Sequence, residues 1–206
     1  MTDKTLIFDL GGVLLDWNPR YLYSEIFPDE TEMEYFLSEI CSPSWNAKMD
    51  ANLSFEEGIS ELLPVFPEYA EQIRLYHTRW SEMLRGEISD SVDILRELKE
   101  AGFKLAGLSN WPWEKYLMIK DQYQFLAWLD PLVISGEVGV AKPAPAIYQI
   151  LLRKVGVPAG NCIFIDDMAE NIRAATHQGF GTIHFSSAEN LRSELVGRGF
   201  LEKAIL

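Results

Sequence analysis

Five short apolar runs, separated over most of the chain by segments of helical periodicity, restrict this sequence more than any other feature. TLIFDL opens at Thr5 and is broken by Gly11-Gly12. FKLAGLS runs from Phe103 to Ser109, PLVIS from Pro131 to Ser135, CIFID from Cys162 to Asp166 and GTIHF from Gly181 to Phe185. Runs this short, bounded by turn residues, read as strands buried on both faces. Between them, Val92, Leu95 and Leu98 fall on one helical face before Gly102, and Ile147, Ile150, Leu151 and Val155 on another before Gly156 and Pro158; ENIRAATHQ precedes the last run. Strands alternating with helices predict an α/β fold: a Rossmann-like core whose parallel sheet carries helices on both faces.

One connection breaks the alternation. A crossover between neighbouring parallel strands needs about a dozen residues, and the chain spends far more between Asp16 and Gly86. That stretch is aromatic-rich and helical in character. Ser54 and Glu57 have capping-box spacing, Pro64 stops the helix they start, and Ile73, Tyr76, Trp80 and Leu84 recur at helical intervals. The reading is a small helical cap, residues 16–86, inserted after strand one of a core made of 1–15 and 87–206. Ligands of open α/β sheets bind at the carboxyl ends of the strands, so the cap is expected to lie over the site.

Charge narrows the partners. Eighteen Lys and Arg against 31 Asp and Glu give a net charge of -13, which repels phosphate backbones and anionic lipid heads. Neither nucleic-acid nor membrane binding is expected. Hydrophobic residues make up 48% of the chain, enough for a real core, yet no apolar stretch reaches the ~18 residues of a membrane span. The opening run is interrupted by Asp9 and lacks a small-residue cleavage site, so it does not read as a signal peptide. Cys41 and Cys162 are too few for a disulfide framework, and Cys162 sits in an apolar strand. A soluble, cytoplasmic protein is expected; its oligomeric state stays open between monomer and homodimer.

Polar groups collect where the apolar runs end. Asp9 closes the first, Ser109-Asn110 the second and Asp166-Asp167 the fourth, while Lys142 lies in the turn VAKPAP after the third. Each has an ordinary explanation: Asp167 with Glu170 has capping-box spacing, Ser109 or Asn110 could cap a helix through Trp113 and Tyr116, and Lys142 could be a solvated loop lysine. Asp9 is harder to explain so, because a carboxylate ending an apolar strand is costly unless ionised and partnered. At ~4 Å and an effective dielectric of about 20, two like charges repel by roughly 4 kcal/mol. A hard divalent cation with oxygen ligands relieves this, and Mg²⁺ typically takes one or two carboxylates with phosphate oxygens. Lys142 and the Ser109 hydroxyl supply donors for a phosphate.

FDLGGVL at Phe8 to Leu14, LSN at Leu108 to Asn110, Lys142 before Pro143, and IDD at Ile165 to Asp167 together resemble the haloacid dehalogenase-like hydrolase superfamily across essentially the whole chain. The opening is most similar to the small phosphatase branch with bacterial sugar-phosphate phosphatases and the N-terminal phosphatase domain of soluble epoxide hydrolases. The resemblance implies a Mg²⁺-dependent phosphatase for a small phosphorylated metabolite. Asp9 would be the nucleophile, forming an aspartyl-phosphate. Asp9, the Gly11 carbonyl, Asp166 and, less directly, Asp167 would hold Mg²⁺. Ser109 and Lys142 would hold the phosphoryl group, and Asn110 would position substrate or support Ser109.

The chain departs from that pattern at Gly11, where family phosphatases carry a second aspartate that protonates the leaving group. Such an acid is worth typically 10²–10⁴-fold in rate. Asp16 or a cap residue could replace it, although Asp16 also fits a cap for the helix starting near Asn18-Pro19. Two other readings stand beside the phosphatase. A 2-haloacid dehalogenase would use Asp9 on carbon without metal and needs a cation such as Arg20 for halide; Asp166-Asp167 argues against it. A weakly active regulatory or binding member of the superfamily is the other. Trp17, Trp45, Trp80, Trp111 and Trp113 are candidates to line the cleft, while His77 and His184 read as structural.

Overall fold

The computed structural model describes residues 4–202. In chain order its strands are β1 (Thr5–Phe8), β2 (Leu15–Trp17), β3 (Leu84–Glu87), β4 (Lys104–Ser109), β5 (Leu132–Ile134), β6 (Cys162–Asp166) and β7 (Gly181–His184). The five apolar runs form one sheet in the order β5-β4-β1-β6-β7, every neighbouring pair parallel. β1 is central, with Ile7 paired to Ala106 on one side and Phe164 on the other. Side-chain alternation then sends Leu6 and Phe8 to one face and Ile7 to the opposite face, and both faces are buried.

Eleven helices accompany these strands among the described residues. Five lie between β2 and β3: α1 (Arg20–Ile26), α2 (Glu30–Tyr35), α3 (Pro43–Asp50), α4 (Phe55–Leu62) and α5 (Ala70–Thr78). The others are α6 (Ser89–Glu100), α7 (Trp113–Ile119), α8 (Ser135–Val138), α9 (Pro145–Val155), α10 (Ala169–His177) and α11 (Ala188–Gly197). Val92, Leu95 and Leu98 of α6 and Leu191 and Leu195 of α11 pack with Leu6 and Phe8; Ile147, Tyr148 and Leu151 of α9 and Ala175 of α10 pack with Ile7. The apolar cluster on the α6/α11 face runs on without a break into Leu22, Phe36, Ile73 and Tyr76 of the inserted helices.

Strand boundaries are tighter than the apolar runs. β1 stops at Phe8, so Asp9 and Leu10 lie beyond it; Phe103, Pro131 and Ser135 fall outside β4 and β5, and Phe185 outside β7. The capping box at Ser54 and Glu57 forms as expected, starting α4, which ends at Leu62 before Pro64. The helical spacing through Trp80 and Leu84 misleads: α5 ends at Thr78, Trp80–Met83 is a 3-10 turn, and Leu84 belongs to β3. The chain leaves the helix there because β3 pairs antiparallel with β2, Asp16 opposite Gly86, whose φ of +126° a side chain would disfavour. This pairing, a separate two-stranded sheet that no apolar run marks, brackets the inserted helices. No helix among the described residues is long and apolar enough to cross a membrane.

Candidate active site

Asp9, Ser109, Lys142 and Asp166-Asp167 come from four separate connections and meet at the carboxyl end of the sheet. A cleft of about 430 Å³ opens there between the strand ends and the inserted helices. The turn after β1 directs Asp9 into it: the Asp9 amide donates to the Ile165 carbonyl at 2.9 Å, and the Leu10 amide donates to Asp9 Oδ1 at 2.7 Å.

Lys142 is fully enclosed and joins the pieces. Its Nζ lies 2.9 Å from Asp9 Oδ1 and 2.7 Å from Asp166 Oδ2, and donates to the Leu108 carbonyl at 3.0 Å. A solvated loop lysine is therefore the wrong description. Asn110 holds the loop in place: its Nδ2 donates to the Lys142 carbonyl at 2.9 Å, and its Oδ1 accepts from the Lys142 amide at 2.8 Å. Asn110 caps no helix, because α7 begins after Pro112, and Ser109 caps none either.

Asp166 accepts from the Met168 amide at 2.8 Å and from Asn171 Nδ2 at 3.0 and 3.2 Å. The capping box expected at Asp167 and Glu170 does not form; α10 starts after Met168 without a side-chain cap. One carboxylate oxygen each from Asp9, Asp166 and Asp167 lie within 4.8 Å of one another. Gly12, at φ +74°, keeps this cluster open, since a Cβ there would stand 2.6 Å from Asp167 Oδ2.

Burial dominates the electrostatics. It pushes the Asp9 carboxyl up to about 7, against the pull of Lys142 and with the repulsion of Asp166. Asp167 is raised as well, first by burial and then by Asp166. Burial works against the Lys142 charge, but attraction to Asp9 and Asp166 outweighs it and holds the ammonium above its usual range. Three acids and one cation leave a net negative charge that a divalent ion would offset, and oxygen-only donors match a hard cation such as Mg²⁺.

Unpaired polar atoms mark the same place. Of eight buried side-chain N or O atoms lacking a hydrogen bond among the described residues, five belong to residues lining the cleft: Trp17, Asn46, Ser109, Trp111 and Asn171. Ser109 Oγ sits close enough to favour ionised Asp9, but not in hydrogen-bonding geometry. Buried polar groups normally find partners, so this wall suits a polar ligand.

Other expectations divide. Trp17, Trp80 and Trp111 line the cleft, whereas Trp45 donates its Nε1 to the Gly58 carbonyl and Trp113 stacks on Tyr116. Asp16 neither lines the cleft nor caps α1; it accepts from the Tyr21 hydroxyl at 2.8 Å, while Asn18 Oδ1 accepts from the Arg20 amide. Arg20 reaches the rim, but Glu34 binds its guanidinium at both Nε and Nη2. His77 and His184 stay outside the cleft. Three participants went unnoticed in the sequence: Asn171, which grips Asp166; Ser135, whose hydroxyl accepts from the Trp111 amide; and Asp50, buried in the cleft wall at the end of α3.

A buried carboxylate just past the central strand, facing a lysine and two further acids under an inserted helical segment, makes a charged site at the rim of a parallel sheet in an α/β fold. The chain belongs to the haloacid dehalogenase-like hydrolase family, whose model matches residues 4–179. It is 26% identical over 193 residues to a sesquiterpene phosphatase of Aspergillus oryzae, covering 91% of this chain and 92% of that one. A HAD-like family hydrolase of Porphyromonas gingivalis has the same fold, with TM-score 0.72 at 20% identity, covering 98% of this chain and all of that one (100%). A HAD family enzyme of Bacteroides thetaiotaomicron, in complex with magnesium and inorganic phosphate, matches with TM-score 0.67 at 19% identity over 89% of this chain and 94% of its own.

Proposed function

We propose that the chain is a Mg²⁺-dependent phosphatase of small, sugar-phosphate-like phosphomonoesters that works through an aspartyl-phosphate on Asp9. The observation carrying this reading is the convergence of Asp9, Asp166 and Asp167 within 4.8 Å, beside a buried lysine and an unpaired serine hydroxyl. The similarity to a curated phosphatase and the magnesium-phosphate complex of the Bacteroides neighbour support it.

In this reading Asp9, the Gly11 carbonyl, Asp166 and Asp167 would hold Mg²⁺, which when bound would supply positive charge for the phosphoryl oxygens. Ser109 and Lys142 would bind those oxygens, and Lys142 favours the ionised form of Asp9 against the larger effect of its burial. Asn110 orders the Lys142 loop rather than meeting the substrate. The Asp9 carboxylate attacks phosphorus, the ester oxygen leaves, and water then cleaves the phospho-enzyme. Residues 16–86 act as the cap over a core of 1–15 and 87–206, of which 1–3 and 203–206 lie outside the described residues. The dehalogenase alternative fits less well, because Glu34 already neutralises Arg20 and three acids would face a carboxylate substrate.

The test is a phosphate-ester panel with and without Mg²⁺ on wild type and Asp9→Asn. Metal-dependent phosphate release and transfer of labelled phosphate to protein are expected in wild type, and both disappear in the variant. Chloride release from 2-chloropropionate without metal, with no phosphate release, refutes the reading. A regulatory or binding member would give no hydrolysis for Asp9→Asn to remove.

A further inference from the structure

The proposed phosphatase lacks an acid beside its nucleophile, since Gly11 occupies that place and Trp111 packs over it, 3.4 Å from where a Cβ would stand. In-line displacement fixes where a substitute must be. The leaving oxygen lies on the far side of phosphorus from the attacking carboxylate, which here is the side of the cleft built by the inserted helices.

Asp50 is the carboxyl on that wall. It ends α3, lines the cleft and is buried with 9% of its surface exposed. Its one hydrogen-bond donor among the described residues is the neutral Asn46 Nδ2, at 3.2 Å. Stability does not account for this placement. A carboxylate in the last turn of a helix opposes the helix dipole, and an unpaired buried one is penalised further. The other candidate ionisable groups on the lining are less suited: Arg20 is held by Glu34, Asp167 sits in the acid cluster, Glu170 is exposed on α10 of the core rather than on the inserted helices, and burial pushes Tyr76 and Cys41 up and away from proton exchange near neutrality.

We propose that Asp50 is the general acid and base of this active site, replacing the carboxyl missing at Gly11; the assignment rests on the phosphatase reading above. In the first half-reaction the Asp9 carboxylate oxygen bonds to phosphorus. The bond from phosphorus to the ester oxygen breaks, and that oxygen takes the proton of the Asp50 carboxyl. In the second half Asp50, now ionised, accepts a proton from water as the water oxygen bonds to phosphorus. The bond from phosphorus to Asp9 breaks, its electron pair returns to the Asp9 carboxylate, and inorganic phosphate leaves. Burial raises Asp50 to about 7, against the attraction of Lys142, which matches a group that must both give and take a proton near neutrality.

The experiment compares kcat/KM for an alkyl phosphate, glycerol 2-phosphate, with that for p-nitrophenyl phosphate, whose leaving group needs little protonation. Both are measured with Mg²⁺ on wild type and on Asp50→Asn, which keeps the shape and the hydrogen bond from Asn46. The expected result is a loss of about 10²–10⁴-fold for the alkyl ester, at least tenfold larger than the loss for the nitrophenyl ester. Equal losses on both substrates overturn the assignment while leaving the phosphatase reading intact. Wild type inert toward every phosphate removes that reading and the assignment with it. Wild type alone provides a second measurement. Across aryl phosphates of rising phenol pKa, a shallow decline in kcat/KM is expected with the acid in place, and a steep one overturns the proposal without any variant.

Discussion

Two buried lysines stand about the same sheet end and meet opposite surroundings. Lys142 is enclosed by two carboxylates and a carbonyl, and their attraction outweighs the burial that disfavours its charge. Lys115 of α7 is 3% exposed and faces His77 of α5, whose Nδ1 is 3.0 Å away and whose carbonyl accepts at 3.1 Å. Among the described residues its one acidic neighbour, Glu114, lies at 3.8 Å and is half exposed, and the rings of Phe55 and Trp80 also face it. Burial lowers the Lys115 pKa despite Glu114. The contrast separates two uses of a buried cation. Where acids must be held ionised and close together, the cation is fully paired. Where it bridges the inserted helices to the helix after β4, a neutral ring and a carbonyl suffice.

Removing the paired cation has the largest expected effect. Lys142→Met leaves Asp9 and Asp166 facing each other without compensation, a loss of about 3–5 kcal/mol. Phosphatase turnover should fall below detection. Asp9 is already raised, and a raised carboxyl contributes stability at low pH that disappears as pH climbs through its folded value. The variant's deficit in chemical denaturation should therefore be larger at pH 8 than at pH 5. An equal deficit at both would show that Lys142 acts through packing instead.

Asp50 sharpens the comparison, because it is a buried acid whose one hydrogen-bond donor among the described residues is the neutral Asn46. At pH 8 it is charged in both folded and unfolded chains, and only the folded chain carries the cost of burial. Asp50→Asn removes that cost, so the variant should be more stable than wild type at pH 8, by up to about 4 kcal/mol. The gain should shrink through pH 7 and vanish near pH 4, where the carboxyl is protonated in both states. Loss of stability at pH 8 would mean that an ionised Asp50 is paired in a way the cleft does not suggest. Gly12→Ala comes next. Its positive φ and the 2.6 Å approach to Asp167 predict a cost of about 1–2 kcal/mol and a higher Mg²⁺ requirement for half-maximal rate.

The legible parts of the molecule share a local cause. Apolar runs announced all five strands of the parallel sheet, the polar residues at their ends announced Asp9, Ser109 and Asp166, and the turn VAKPAP after the third offered Lys142. The β2–β3 hairpin left no trace, because LDW and LRGE are too short for a period-two pattern and pair across the whole insertion. Asp50 and Asn171 sit within helices, where acidic and amide side chains ordinarily face solvent; only the tertiary packing turns them inward. Asn171 did carry a faint signal, falling four residues after Asp167 on the same helical side as the site. Ser135 looked like the end of a strand and instead opens α8, because its hydroxyl binds the Trp111 amide and Gly136 packs against the backbone around Trp113.

The second lysine yields the smallest effect and the cleanest sign. Burial first, and then Lys115, lower the His77 pKa, while Glu114 opposes them. A histidine depressed in the folded state contributes stability that is present above its unfolded value near 6.5 and lost as pH falls through the folded one. Protonation would place a second positive charge 3.0 Å from Lys115 Nζ, at the contact joining α5 to α7. Wild type should lose stability between about pH 7 and pH 5 by an increment that Lys115→Met reduces, because the variant has no cation for the imidazolium to face. The variant should lie within about 1 kcal/mol of wild type at pH 8, where lost hydrogen bonds to His77 offset the relief of desolvation. Matching pH profiles for wild type and Lys115→Met would show that the pair holds the helices together without sensing charge.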